Sequence, residues 1–116
     1  MNAIIFFKTK ELEKITEFYQ NRVGCELWLE QGDCRIFKFG NMLLGFCLRA
    51  KVDKDGIITF FYNRKEAVDE AYQQFKAIAE HKPRLNPKYR IYHFFARDPE
   101  GRSIEFQWFQ DKMKSI

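Results

Sequence analysis

Only two of the 116 residues are histidine and only three are cysteine, and Cys25, Cys34 and Cys47 never fall in a C-x-x-C spacing. That scarcity excludes a zinc cluster, whose ligands come in closely spaced pairs. An odd set of scattered cysteines also fits a reducing compartment, so reduced thiols and a cytoplasmic location are expected. No apolar run approaches the roughly 20 residues a membrane helix needs. The opening "MNAIIFFKTK" lacks the shape of a signal peptide. Twenty basic residues against 16 acidic ones leave a net charge of +4, but the charges are scattered. With no basic stripe, the reading is no nucleic acid and no membrane as partners.

Aromatic residues are abundant: 13 Phe, five Tyr and two Trp make up 17% of the chain. Such side chains fill a core or line an apolar pocket for an organic ligand. A chain of this length is expected to form one domain, residues 1–116, with a true core.

The elements can be read in order. Residues 3–8 are strand-like, and residues 11–22 carry Leu12, Ile15, Phe18 and Tyr19 at helical spacing, with Gly24 as the stop. Three strands follow, "CELWLEQ", "CRIFKF" and "MLLGFCLR", separated at Gly32-Asp33 and Gly40-Asn41. After the polar connector 51–56 the pattern restarts with the strand "IITFFY" and a helix over 64–80. A short strand is placed near Arg84, and the hairpin "RIYHFFAR" and "RSIEFQWF" turns at "DPEG". The halves superpose in sequence as well as in element order. "IIFF…FY" matches "IITF…AY", and "LGF" at 44–46 matches "IEF" at 104–106.

Two βαβββ units in tandem (about 1–50 and 57–110), "EFY" at 17–19 followed by "VG" at 23–24, and "ARDPEGRSIEF" at 96–106 resemble the vicinal oxygen chelate superfamily. That group holds glyoxalase I, extradiol dioxygenases, fosfomycin-modifying enzymes and bleomycin resistance proteins. The resemblance implies an α+β fold: curved mixed sheets around a ligand cavity, with helices outside. It also implies a homodimer. Metal-dependent members hold a divalent ion with His, Gln or Glu from equivalent strands of the two units. Carried over, those positions fall on Glu105, Gly45, Ile4 and the segment 57–60, where only Glu105 bears a metal-binding group. No cofactor is expected on that count, with a divalent metal kept as the alternative.

Strand alternation assigns the faces. With the turn at 98–101, Phe94 opposes Glu105, and Tyr92, Phe94, Ser103, Glu105 and Gln107 share one wall. His93 then faces the core, apart from Glu105, and His81 is expected to be solvated at a helix end. A one-residue slip would reverse the hairpin assignment. About Gly40-Asn41 the same alternation sets Cys34, Ile36, Lys38, Leu43, Gly45 and Cys47 on one face with Ile4, Phe6 and Lys8, and places Cys34 opposite Cys47. The candidate ligand-binding set is Ile4, Phe6, Lys38, Gly45, Tyr92, Phe94, Ser103, Glu105 and Gln107, with Glu105 the candidate catalytic residue. Three roles stand for Glu105: a hydrogen-bonded strand residue, a group that recognises a ligand or acts as base, or a metal ligand. The preferred function is metal-free binding of a small organic molecule, of the bleomycin-resistance type. The alternatives are a lyase, isomerase or dioxygenase, metal-dependent or using Glu105 as base, and an interaction module whose pocket has collapsed.

Overall fold

Alternating apolar and polar residues, twice interrupted by helical spacing, generate two four-stranded sheets, each backed by one helical segment. The structure, a computed structural model, describes residues 1–116. It divides into two compact units: Met1–Lys54 with the turn Asp98–Gly101, and Asp55–Arg97 with Arg102–Ile116.

In the first unit β1 (Ile4–Thr9) leads into α1 (Leu12–Thr16), which continues as a π-helical stretch, Glu17–Val23. Strands β2 (Glu26–Glu30), β3 (Cys34–Phe39) and β4 (Met42–Leu48) complete a sheet of order β1-β4-β3-β2, with β1 parallel to β4. Leu12, Ile15, Phe18, Tyr19 and Val23 form the buried side of the helical segment, as their spacing requires. Gly24 ends it at φ 92°, a conformation costly for any residue with a Cβ. Tyr19 stacks on Phe46 with ring centroids 4.8 Å apart. Arg35 ties α1 to the sheet, reaching Glu30, Thr16 and Glu13 at 2.7–2.8 Å, and its hydrogen bond, helped by its charge, holds the Glu13 carboxyl below the usual range.

The second unit comprises β5 (Ile57–Tyr62), α2 (Lys65–Phe75), β6 (Arg84–Asn86), β7 (Ile91–Arg97) and β8 (Ser103–Phe109), in sheet order β5-β8-β7-β6. α2 is shorter than its pattern suggested. After Phe75 the backbone turns so that Ala79 bridges Ala96 and the Glu80 N–H donates to the Phe95 carbonyl at 2.8 Å, covering the free edge of β7. Phe106 packs beneath the helix, 4.9 Å from Phe75 and 5.1 Å from Phe94.

The β7–β8 connection corrects the expected register. A hydrogen bond from Gly101 N–H to the Asp98 carbonyl closes the turn at 3.0 Å, and Gly101 adopts φ 87°. Arg102 belongs to the connection as well, so Arg97 pairs with Ser103 and Phe95, not Phe94, opposes Glu105. One extra residue moves every β7 side chain to the other face.

Candidate active or binding site

Glu105 sits mid-strand in β8, only 8% exposed. A carboxylate at that depth needs donors, and the second sheet supplies three. Thr59, its neighbour on β5, donates its hydroxyl to Oε1 at 2.8 Å. His93 of β7 places Nδ1 2.7 Å from Oε2. Gln107, its amide turned to donate, brings Nε2 to 3.1 Å from Oε2 and 3.3 Å from Oε1. The carboxylate is fully engaged within its own sheet. Of the roles open to Glu105, the hydrogen-bonded strand residue is the one with direct structural contacts.

Corrections follow from the register. His93 is the partner of Glu105, not a core residue turned away from it; the ring is 5% exposed and lies edge-on to Phe95 at 5.2 Å. Donation from Nδ1 to the carboxylate leaves Nε2 as the second ring nitrogen. Nε2 has no hydrogen-bond partner in the chain. Tyr92 and Phe94 leave the candidate wall. Phe94 is wholly buried beside Phe106 and Tyr72, and the Tyr92 hydroxyl donates to Asp69 of α2, which pushes its own pKa up to about 12. His81 is half-buried beyond the helix rather than solvated at its end: Nδ1 lies 2.8 Å from the Lys82 carbonyl, and Nε2 accepts from Phe95 N–H at 3.4 Å. Ser103, at the start of β8, keeps its place on the Glu105 face.

The corresponding face of the first unit has the expected register. Ile36 opposes Gly45, Lys38 opposes Leu43, and Ile4 lies beside Leu43. The β1 residue beside Gly45 is Phe6 rather than Ile4, and its ring covers the glycine so closely that a Cβ there would meet it at 2.4 Å. Cys34 and Cys47 form a disulfide, against the expectation of reduced thiols; their directly opposed positions bring the Cα atoms to 4.0 Å. Cys25 remains a free thiol, and burial pushes it up to about 12. A cavity of about 380 Å³ adjoins the disulfide, lined among others by Phe6, Gln31, Lys8 and Arg49. Of the candidate set, only Phe6 lines it.

A divalent ion finds no fit here. The equivalent strand positions are Phe6 beside Gly45 in the first unit and Thr59 beside Glu105 in the second. No group of three or more His, Cys, Asp or Glu side chains is placed so that it could hold a metal ion. The one carboxylate available is held by three protein donors. A useful metal site asks for three or four ligands.

The chain superposes on lactoylglutathione lyase from Agrobacterium tumefaciens with a TM-score of 0.76 at 25% identity, over 93% of this chain and 92% of that one. A glyoxalase/bleomycin resistance protein/dioxygenase family enzyme from Burkholderia phytofirmans PsJN gives 0.79 at 18% identity, covering 91% and 96%. The fold is that of the glyoxalase/bleomycin resistance/dioxygenase proteins. A fosfomycin resistance protein from Listeria monocytogenes shares it at a TM-score of 0.77 and 19% identity, over 93% and 92% of the two chains. No family model and no curated protein matches the sequence. That fold accounts for the βαβββ repeat. No helix is long and apolar enough to cross a membrane.

Proposed function

We propose that this chain is a metal-free small-molecule binding protein of the vicinal oxygen chelate superfamily, taking an organic ligand on the Glu105 face of its second sheet. One observation carries the reading: the carboxylate left at the superfamily's ligand positions is already saturated by Thr59, His93 and Gln107. Around that polar centre the same face presents Phe95, Phe61 and Phe109, the last two 5.5 Å apart, and an exposed Ile57. A few polar groups within an apolar surround is the usual make-up of an organic-ligand site. We further propose a homodimer. The proposed cytoplasmic location rested on reduced thiols, and the Cys34–Cys47 bond withdraws that support.

Elemental analysis of protein purified without a metal-binding tag tests the metal-free reading, and near-stoichiometric Zn, Ni, Mn or Fe overturns it. A thermal-shift screen of organic compounds tests binding, since a ligand at 100 times its Kd adds about 2.7 kcal/mol. Silence across a broad library would favour a structural module.

The second reading is an enzyme, and the His93–Glu105 pair favours it over the earlier assignment of Glu105 alone as base. A carboxylate that holds an imidazole by Nδ1 leaves Nε2 as the proton acceptor. Lyase activity in the Agrobacterium protein and antibiotic resistance in the Listeria protein set the substrate classes to assay first. Catalysis by wild type that persists in His93→Gln would end this version of it.

A further inference from the structure

His93 has a cross-strand neighbour that the site described so far does not use. Arg84, on the short strand β6, pairs directly with His93. Directly paired residues of antiparallel strands point to the same face, with Cβ atoms about 5 Å apart. The Arg84 side chain is exposed and takes part in no ion pair or hydrogen bond within the chain. The sheet therefore sets two complementary groups side by side. One is an imidazole whose Nδ1 is engaged by Glu105, which leaves Nε2 for a ligand, and in the neutral ring that nitrogen accepts a hydrogen bond. The other is an unengaged guanidinium, whose fork matches a carboxylate. Phe95, two residues along β7 on the same face, supplies an aromatic surface beside them.

We propose that His93 and Arg84 form a recognition pair for an aromatic hydroxy acid, the ligand hydroxyl donating to His93 Nε2 and the ligand carboxylate pairing with Arg84. The proposal rests on the small-molecule reading above and narrows it to one ligand class. Glu105 is then a positioning residue: its carboxylate fixes the tautomer and leaves Nε2 free. An acid lacking the hydroxyl, or a phenol lacking the acid, satisfies half of the pair.

The test uses three compounds of one shape: para-hydroxybenzoate, para-methoxybenzoate, which cannot donate, and para-hydroxybenzamide, which carries no charge. Binding is followed by amide NMR titration. Wild type should prefer the hydroxy acid to each of the others by about five- to tenfold, the order expected of one lost polar contact. His93→Phe should erase the preference over the methoxy compound and keep the preference over the amide. Arg84→Gln should do the reverse, and as a change at an exposed side chain it leaves the fold intact.

Equal binding of hydroxy and methoxy compounds to wild type overturns the proposal, as does a hydroxyl preference that survives His93→Phe. If none of the three binds while the thermal-shift screen finds another ligand, this ligand class is wrong and the binding reading stands. If both are silent, both fall. Imidazole nitrogen NMR reads the positioning role separately. His93 should show a protonated Nδ1 and a bare Nε2 in wild type and lose that single tautomer in Glu105→Gln; a bare Nδ1 in wild type overturns the assignment.

Discussion

Three donors, Thr59, His93 and Gln107, hold the Glu105 carboxylate in a strand where it is only 8% exposed. Its place in β8, between Ile104 and Phe106, follows from simple alternation, whereas its partner His93 depended on whether the turn ends at Gly101 or at Arg102. Nothing in "DPEGR" tells a reader that Arg102 stays in the connection. The consequence for mutation is a change of sign. Read as an unpaired buried acid, Glu105 is expected to be neutral or favourable to replace by Gln. Held by three donors, Glu105→Gln should instead cost about 1–3 kcal/mol, because charge-assisted bonds are lost and one donor is left facing another. Urea denaturation measures it, and an unchanged midpoint would contradict the network.

Cys25 gives a second residue-scale expectation. The fold keeps its thiol protonated up to about 12, against 9.0 for a free thiol. The unfolded chain releases that proton first, so stability declines as pH rises from about 9 towards 12. The slope is at most about 1.4 kcal/mol per pH unit for one group. Denaturation midpoints at about pH 8 and about pH 10.5 should differ less in Cys25→Ala than in wild type; equal differences would show that the thiol is not the group responsible.

Among elements, the internal repeat was readable, and its register in the structure adds a correspondence. Phe6 stands where Thr59 stands, Gly45 where Glu105 does, and Ile36 where Phe95 does. On the same count Cys34 matches His93, and Cys47 matches Gln107. One unit spends these face positions on a disulfide and a phenyl ring over glycine; the other spends them on a hydrogen-bonded acid. The β3–β4 register was derived correctly because the two-residue turn Gly40-Asn41 leaves no room for an extra residue. The redox state of the pair was not, since spacing alone favours neither state.

Two outcomes follow at this scale. Replacing both cysteines by serine opens a loop of 13-residue separation and should cost about 3 kcal/mol on the chain-entropy account. An unchanged melting temperature under reducing and oxidising conditions would argue that the bond does not form in solution. Gly45→Glu must push aside the Phe6 ring, which is half exposed and can swing outward, so about 1–2 kcal/mol is expected. No divalent-ion affinity should appear, because Phe6 and Thr59 remain where further ligands would be needed. Tight metal binding by that single variant would show that other ligands had been overlooked.

For the whole molecule, the two motifs on which the resemblance rested meet in the structure. Tyr19, from "EFY", donates its hydroxyl to Asp98 Oδ2 at 2.7 Å, and Asp98, from "DPEG", accepts the Glu100 N–H through Oδ1 at 2.8 Å. Glu100 in turn accepts from Thr9 and from the Lys10 N–H. The turn Asp98–Gly101 thereby belongs to the first unit although its flanking strands belong to the second. Both partners of the central bond are buried, so Tyr19→Phe leaves Asp98 short of a donor and should destabilise the protein by about 1–3 kcal/mol. Assembly is the remaining whole-molecule question. Trp28 and Leu29 are 49% and 42% exposed on the edge strand β2, where the register shifts between Leu27 and Leu29, and Ile5 and Phe6 are open on β1. Large apolar side chains left open at both edges of a sheet favour cover by another chain. Light scattering at micromolar concentration should therefore give twice the 14.0 kDa chain mass. Leu29→Glu, on an exposed edge where the monomer loses little, should shift the population to single chains without lowering the secondary-structure signal. A wild-type mass of one chain would end the dimer proposal, and a dimer unaffected by Leu29→Glu would move the contact away from β2.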